Sequence, residues 1–477
     1  MRESAAVDSS HQVAGPTAAL AGFVANLRYD DVPDEVRAVL RAAVVDAAGC
    51  GLFGLTTPAG RIIQEFAREQ AGPEEATLWA SGGARVSSAN AALALGASIH
   101  AFDFDDHHRS KIHPGAAVLP AVLALGEPRD IDAETCLTAL AAGYEVMARV
   151  SLAANPSSSR MRGWHLTGTC GTFGAAAAAS VILGLDAPTA ASALGLAGTQ
   201  SAGLWAFNAD GAMSKRFHPG RSAQSGIIAA LLAQKGLQGP RQILEAADGG
   251  FLAATSDDIR LHEIERDLGR IWRTQAVCFK PYCCCGSNHS SIDAAFDLMA
   301  EHGFSAANVR RVIVGTSRVV LQQTGFRYQP STVLNAQMSL CYNLAVALID
   351  RHALIDQFTP ARIAEPIVCD LAARVDVEVD PEMDAIYPER YAGIVTVVLD
   401  DGRRLRKRVD YSKGMPENRM SGRELNAKFQ SLAAAAVDAG DAEGLLEEVS
   451  ALFTGSSVRR LARHLGGLRM RPIAESG

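Results

Sequence analysis

The run GWHLTGTCGTFGAAAAASVILGL, Gly163–Leu185, is a long stretch without Asp, Glu, Lys or Arg, and its reading decides the fold. Gly, Ala, Thr and Ser dominate it and His165 interrupts it, whereas a membrane span is more continuously apolar. It reads as a buried helix whose small side chains let other helices approach closely. The same alanine-rich texture extends to both sides. Val32-Pro33-Asp34 opens a segment through Leu52 with Val36, Val39, Leu40, Ala43, Val44 and Ala47 at helical spacing. Ser87-Ser88 can cap Ala89–Ala101. Asp132 precedes a helical run through Ala154, and the helical segments Thr189–Leu196, Ser222–Lys235 and Gln242–Ala247 follow, with breaks at Gly239-Pro240 and Gly249-Gly250.

The texture changes near Ile271. Trp272–Phe279 and Val309–Val320 carry β-branched residues in strand-like runs, with a helical Ser290–Glu301 between them. Ala336–Ile349 reads as a helix, Arg374–Val379 and Gly393–Leu399 as strands. Asp401-Gly402 is a hairpin turn that leads into Arg403–Val409. From Ser421 the helices return as Glu424–Ala436, Gly444–Phe453 and Val458–Leu465. The predicted class is mostly α, with a large helical domain and a smaller α+β domain.

The chain has 477 residues, 48% hydrophobic and 20% charged, with a net charge of −7. Such a composition belongs to a folded globular protein of two or three domains. The mild acidity argues against nucleic acid as a partner, since phosphate binding needs a clustered basic surface. Most of the nine cysteines sit alone in apolar stretches, as buried free thiols do in a reducing compartment. The opening residues MRESAAVDSSHQVAG lack the basic start and apolar core of a signal peptide. A cytoplasmic protein without a membrane partner is the expectation.

Four segments carry chemistry. In His100–Gly115, Asp103 and Asp105 alternate with Phe102 and Phe104, so an extended chain would send the carboxylates one way and the rings the other. His113-Pro114 can open a helix beside these groups, which suits anion binding and proton transfer. The spacing of His107, His108 and His113 fits no metal motif, so no metal is expected. Glycines at every third position from Gly168 leave backbone N–H groups open at a helix start, a carboxylate cradle or simply close packing. Lys215, Arg216 and Arg221 are the densest cations of the first half and can clamp a polycarboxylate. Lys280 follows a strand and precedes Cys283-Cys284-Cys285, whose adjacency does not fit iron–sulfur ligation. Tyr342 lies mid-helix and by itself reads as core.

Taken together, these pieces resemble the MmgE/PrpD family of 2-methylcitrate dehydratases, cis-aconitate decarboxylases and iminodisuccinate epimerases. The anchors are HAFDFDD…HPGAAVLPAVLA (His100–Ala124), GWHLTGTCGTFGAAAAA (Gly163–Ala179), GAMSKRFHPGRSAQSG (Gly211–Gly226), FKPYCCCGSNHSSIDA (Phe279–Ala294), SLCYNLAVAL (Ser339–Leu348) and VTVVLDDGRR…GMPENRMSGRELNAKF (Val395–Phe429). The resemblance implies that residues 13–274 and 412–470 form the helical domain, with the α+β domain, 275–411, inserted between them. It implies a homodimer, no cofactor and a small-molecule carboxylate substrate. It assigns catalysis to Asp103, His113, His165, Lys215 and Tyr342, and substrate binding to Lys280, His107, Arg216 and Gly168. In that scheme the lysines fix substrate carboxylates, His113 or His165 moves the proton, Asp103 orients an imidazole and Tyr342 donates to a leaving hydroxyl or enolate. His107 stands where family members often have Thr, and Cys285 where the decarboxylases carry His. A 2-methylcitrate dehydratase-like hydro-lyase of propionate metabolism is the leading expectation. The alternatives are a cis-aconitate decarboxylase-like carboxy-lyase, an iminodisuccinate epimerase-like isomerase and a non-catalytic dimeric binding protein.

Overall fold

Helices of the first half touch where glycine replaces a side chain. The computed structural model describes residues 15–70 and 72–471; residues 13 and 14 and most of the opening segment discussed above lie outside them. The principal helices are α1 (Asp34–Gly54), α2 (Ser88–Ile99), α3 (Pro114–Gly126), α4 (Ala133–Ala153), α5 (Leu166–Ile182), α6 (Ala187–Gly198) and α7 (Ser214–Gln234). Ser87, Asp132 and Asp186 accept backbone N–H bonds at the starts of α2, α4 and α6, which fixes where each begins. The Gly163–Leu185 run supplies α5, buried along nearly its whole length between α4 and α7. A Cβ on Gly174 would lie 2.8 Å from the Gly143 carbonyl oxygen, so α4 and α5 need glycine at their crossing. Among the described residues α4 is the one single helix that passes for a membrane span by length and hydropathy, yet 94% of its apolar window is buried inside the protein.

The smaller half centres on α8 (His289–His302) and α9 (Leu340–Asp350), packed on a four-stranded sheet. With β1 (His107–His108) and β2 (Val277–Cys278) numbered first, its strands are β3 (Val309–Thr316), β4 (Val375–Val379), β5 (Gly393–Leu399) and β6 (Arg404–Val409). Their order is β4-β3-β5-β6, parallel between β3 and β4 and antiparallel elsewhere. Its apolar core is distinct from that of the first half, although Cys50, Phe104 and Leu432 reach into it.

The C-terminal helices return to the first half. Along α10 (Gly422–Ala436), Lys428 pairs with Asp46 of α1 at 2.6 Å, donates to the Phe104 carbonyl and lies over the Phe104 ring. The next helix, α11 (Val458–Gly467), ends where the Ala80 N–H binds the Leu465 carbonyl at 2.8 Å.

Several expected elements differ. Gln242–Ala247 forms turns, because Pro240 and Gly249-Gly250 leave too short a run for a helix. Trp272–Phe279 yields only β2, since the Glu145 carboxylate accepts the backbone N–H groups of Arg273 and Thr274 and closes a 3-10 turn. Strand β3 stops at Thr316 because Ser317 caps the helix Arg318–Thr324. Ala336–Ile349 is two helices, broken at Ser339, whose extended backbone and hydroxyl cap α9. All nine cysteines are free, and all but Cys369 are buried.

Candidate active site

Antiparallel pairing of β1 with β2 joins the two halves of the chain and brings His107 opposite Cys278, two residues before Lys280. Beside this seam lies a cavity with about 490 Å³ of empty space, mouth included. The first half supplies Asp103, His107, Lys111, His113, His165 and Lys215; the smaller half supplies Lys280, Cys285, Gln323, Met338 and Tyr391.

The loop after α2 does not run extended. Asp103 has φ 56°, a left-handed conformation in which non-glycine residues are uncommon and whose strain is typical of functional sites. This turn, rather than strand alternation, brings the two carboxylates together. Asp103 Oδ1 faces Lys215 Nζ at 2.9 Å and Lys280 Nζ at 2.7 Å, and Lys280 also donates to the Asp103 carbonyl at 2.7 Å. Burial alone would raise the Asp103 pKa, but Lys215, Lys280 and Arg216 hold it well below the usual carboxylate range. Burial lowers Lys215 to about 8 despite Asp103. For Lys280 burial again opposes the charge, but Asp103 and Asp105 outweigh it and raise its pKa.

Asp105 takes a different role. Its carboxylate binds His100 Nδ1 at 2.9 Å and lies 3.2 Å from His113 Nδ1. The imidazole-orienting acid is therefore Asp105, and the expectation that Asp103 does this is corrected: Asp103 is occupied by the two ammonium groups. With Nδ1 of His113 turned to Asp105, Nε2 is the nitrogen left for proton transfer. Burial is the main cause of the lowered His113 pKa, partly offset by Asp105.

His165 caps the start of α5 and meets His218 of α7 through Nδ1···Nδ1 at 2.9 Å. One ring must donate and the other accept, so they hold opposite tautomers. Trp205 and Phe207 pack their rings 5.5 and 5.4 Å from His165. Burial, then His218 and Lys215, push the His165 pKa well below 6.5, so the imidazole of the free protein is neutral.

Donor atoms of His100, Asp103, Asp105 and His113 gather within 4.8 Å of one another, as compact as a metal site. Yet Asp103 already faces two ammonium groups and Asp105 two imidazole nitrogens, so both carboxylates are engaged by side chains of the protein itself.

Three assigned residues stand elsewhere. Tyr342 is fully buried in the smaller half's core between Tyr328 and Phe358, and its hydroxyl donates to the Gln357 carbonyl at 2.5 Å. It does not line the cavity, because an aromatic in the middle of an apolar helix packs against its own domain. Gly168 is a packing glycine. A Cβ there would lie 2.5 Å from the Ala202 carbonyl oxygen, and its own carbonyl accepts from Ser222. Arg216 sits behind Asp103, donating to Gln337 at 2.8 Å, and supports the carboxylate without reaching the cavity. His107 does line the cavity, stacked on Tyr391 with its ring against Gly286. Gln323 and Tyr391 escaped the sequence reading, having no motif around them. His218, only three residues from Lys215, could have been found from its helical spacing.

Known proteins give the following similarities. The model of the MmgE/PrpD N-terminal domain matches residues 18–263, and that of the MmgE/PrpD C-terminal domain matches 282–452. A cis-aconitate decarboxylase of Homo sapiens is 30% identical, covering 91% of this chain and 91% of the relative. A cis-aconitate decarboxylase of Aspergillus terreus is 28% identical over 94% of each chain. The cis-aconitate decarboxylase-like protein oryM of Aspergillus oryzae is also 28% identical, over 94% of this chain and 97% of its own length.

Proposed function

This chain belongs to the MmgE/PrpD family, and on that premise we propose that it is a carboxy-lyase acting on a cis-aconitate-like unsaturated tricarboxylate. The relatives favour this over the hydro-lyase reading that the sequence motifs put first, since all those named are cis-aconitate decarboxylases or like them. The observation that carries the reading is the joint placement of Lys215, Lys280, His113 and His165 around one buried cavity. A non-catalytic scaffold has no need of four such groups converging.

In an unsaturated tricarboxylate, the carbon–carbon bond to the allylic carboxylate breaks and CO₂ departs. The electron pair left behind forms a new double bond, displaces the old one and comes to rest as a dienolate on a distant carboxylate. One proton delivered to the carbon beside that carboxylate completes the product. The catalytic demand is thus cations at the carboxylate that gains charge, and a proton donor next to it. Lys215 and Lys280 supply the cations. Their sharing of Asp103 keeps both oriented before substrate arrives, so little reorganisation accompanies the reaction. His113 supplies the proton from Nε2, because Asp105 supports the imidazolium through Nδ1. A bound trianion opposes the desolvation that keeps this ring neutral in the empty cavity. The departing carboxylate is the one that meets neither lysine, on the side of the cavity lined by Trp205 and His165. The test is incubation with cis-aconitate, citrate and 2-methylcitrate, with products weighed by mass spectrometry. Loss of CO₂ from cis-aconitate is expected; loss of water from a hydroxy acid with no CO₂ released contradicts the reading.

A further inference from the structure

Two cations near this cavity take no part in that chemistry. Lys111 lines it, and Arg160 stands over the Trp205 ring at 3.9 Å. Neither has a carboxylate within 4.0 Å among the described residues, and Arg160 is 6% exposed with a buried Nε that has no hydrogen-bond partner. Cys285 lines the same cavity and lies near both Lys111 and Lys280.

Lys111 is held in place deliberately. It sits at the tip of a turn closed by the His108 and Ile112 backbones, with its own φ at 61°. Ser110, beside it, binds His108 Nδ1, and its carbonyl accepts from Ser151 at 2.6 Å. The Tyr391 hydroxyl donates to the Arg109 carbonyl at 2.9 Å. The Lys111 ammonium reaches Gln323 Oε1 at 3.1 Å and lies 5.6 Å from the Tyr391 ring centre. Gln323 in turn donates to the Cys285 sulfur at 3.2 Å. A strained backbone and four supporting residues are a costly way to place a cation that has no acidic partner, unless an anion comes from outside.

Charge balance agrees. At the inner end, Lys215, Lys280 and Arg216 face the carboxylates of Asp103 and Asp105, leaving one net positive charge. At the outer end, Lys111 and Arg160 are uncompensated. A trianion matches the total, with one carboxylate at the Lys215–Lys280 pair and another near Lys111.

We infer that Lys111 is a specificity-determining residue, the anchor for the central carboxylate of a tricarboxylate substrate, and that it makes the protein discriminate against dicarboxylates lacking that group. This rests on the proposed function for the identity of the substrate, but its test does not require turnover. Burial has lowered Lys111 to about 7, so its charge is incomplete until an anion binds, which sharpens the dependence on that anion.

The inert probes are tricarballylate and glutarate, which differ only in the central carboxylate, with binding to the full chain measured by calorimetry. The wild type should prefer tricarballylate about thirtyfold, as one charge-assisted contact allows. Lys111→Asn, chosen because Asn tolerates left-handed backbone, should reduce that preference to within about threefold, while Lys111→Arg retains most of it. For turnover of cis-aconitate, Lys111→Asn should raise KM far more than it lowers kcat. No preference in the wild type, or a preference that survives Lys111→Asn, overturns the inference. The wild-type comparison stands even if Lys111→Asn does not fold. A Lys111-dependent preference without any turnover of cis-aconitate would instead overturn the decarboxylase reading and leave this one intact.

Discussion

Lys215 holds its Nζ 2.9 Å from Oδ1 of Asp103, and that same oxygen carries Lys280 at 2.7 Å. One carboxylate thus keeps two ammonium groups together in a buried place where either alone would be expensive to charge. Replacing it exposes the cost. Asp103→Asn should destabilise the fold by about 3–5 kcal/mol, the usual penalty for uncompensated buried charge. Denaturant unfolding measures this, and saturating tricarballylate should restore part of the loss by supplying new carboxylates.

Lys215→Ala and His165→Ala should each cost at least about two orders of magnitude in kcat/KM. Asp105→Asn should lower kcat with KM little changed, because it acts by positioning His113 and not by touching substrate. Steady-state kinetics on cis-aconitate separates the two kinds of effect. Near-normal rates would remove the residue concerned from the mechanism.

The pH profile has a definite sign. Burial disfavours the charged form of Lys215 and brings its pKa from 10.5 to about 8. The ammonium is present below about 8 and lost above it, so kcat/KM should fall as pH rises through that value. Stability moves the other way. Between about 8 and 10.5 the unfolded chain binds this proton and the folded chain does not, so the Lys215 contribution to stability increases with pH. A profile of kcat/KM that keeps rising beyond pH 9 would contradict the assignment.

The return of the C-terminal helices rests on Lys428 and Asp46, both buried and 2.6 Å apart. Lys428→Met should destabilise by about 3–5 kcal/mol, because Asp46, whose pKa burial already raises, is left without its partner and must hold an unpaired charge or take up a proton. Adding Asp46→Leu should recover most of that, since a buried pair is often replaceable by apolar groups. Thermal denaturation of the single and double variants makes the comparison.

How much of this was legible before the structure varied with the distance over which residues act. The helical first half could be read locally, because burial in the first turns of α1 follows helical spacing and α4 and α5 are buried on nearly every side, as their small and apolar composition implies. Elements shortened by distant contacts could not: the Glu145 carboxylate that ends the Trp272–Phe279 run lies more than a hundred residues away in sequence. The chemical density of His100–Gly115 was visible, but which acid serves which partner depends on the left-handed turn at Asp103, which alternation does not encode. Tyr342 misled because it belongs to a recognisable motif, whereas Gln323 and Tyr391 reach the cavity from segments without one. Lys111 was in plain view within the richest segment, and only its lack of a carboxylate partner, a property of three dimensions, marks it.

The most direct test of the central claim is the mass of the product from cis-aconitate in the wild-type protein and in Lys280→Ala. With the wild type, cis-aconitate should lose CO₂ and its product gain one proton from solvent, seen as a single deuterium in heavy water. Lys280→Ala should be slower by at least about two orders of magnitude. Unchanged cis-aconitate, or hydration without release of CO₂, would contradict it.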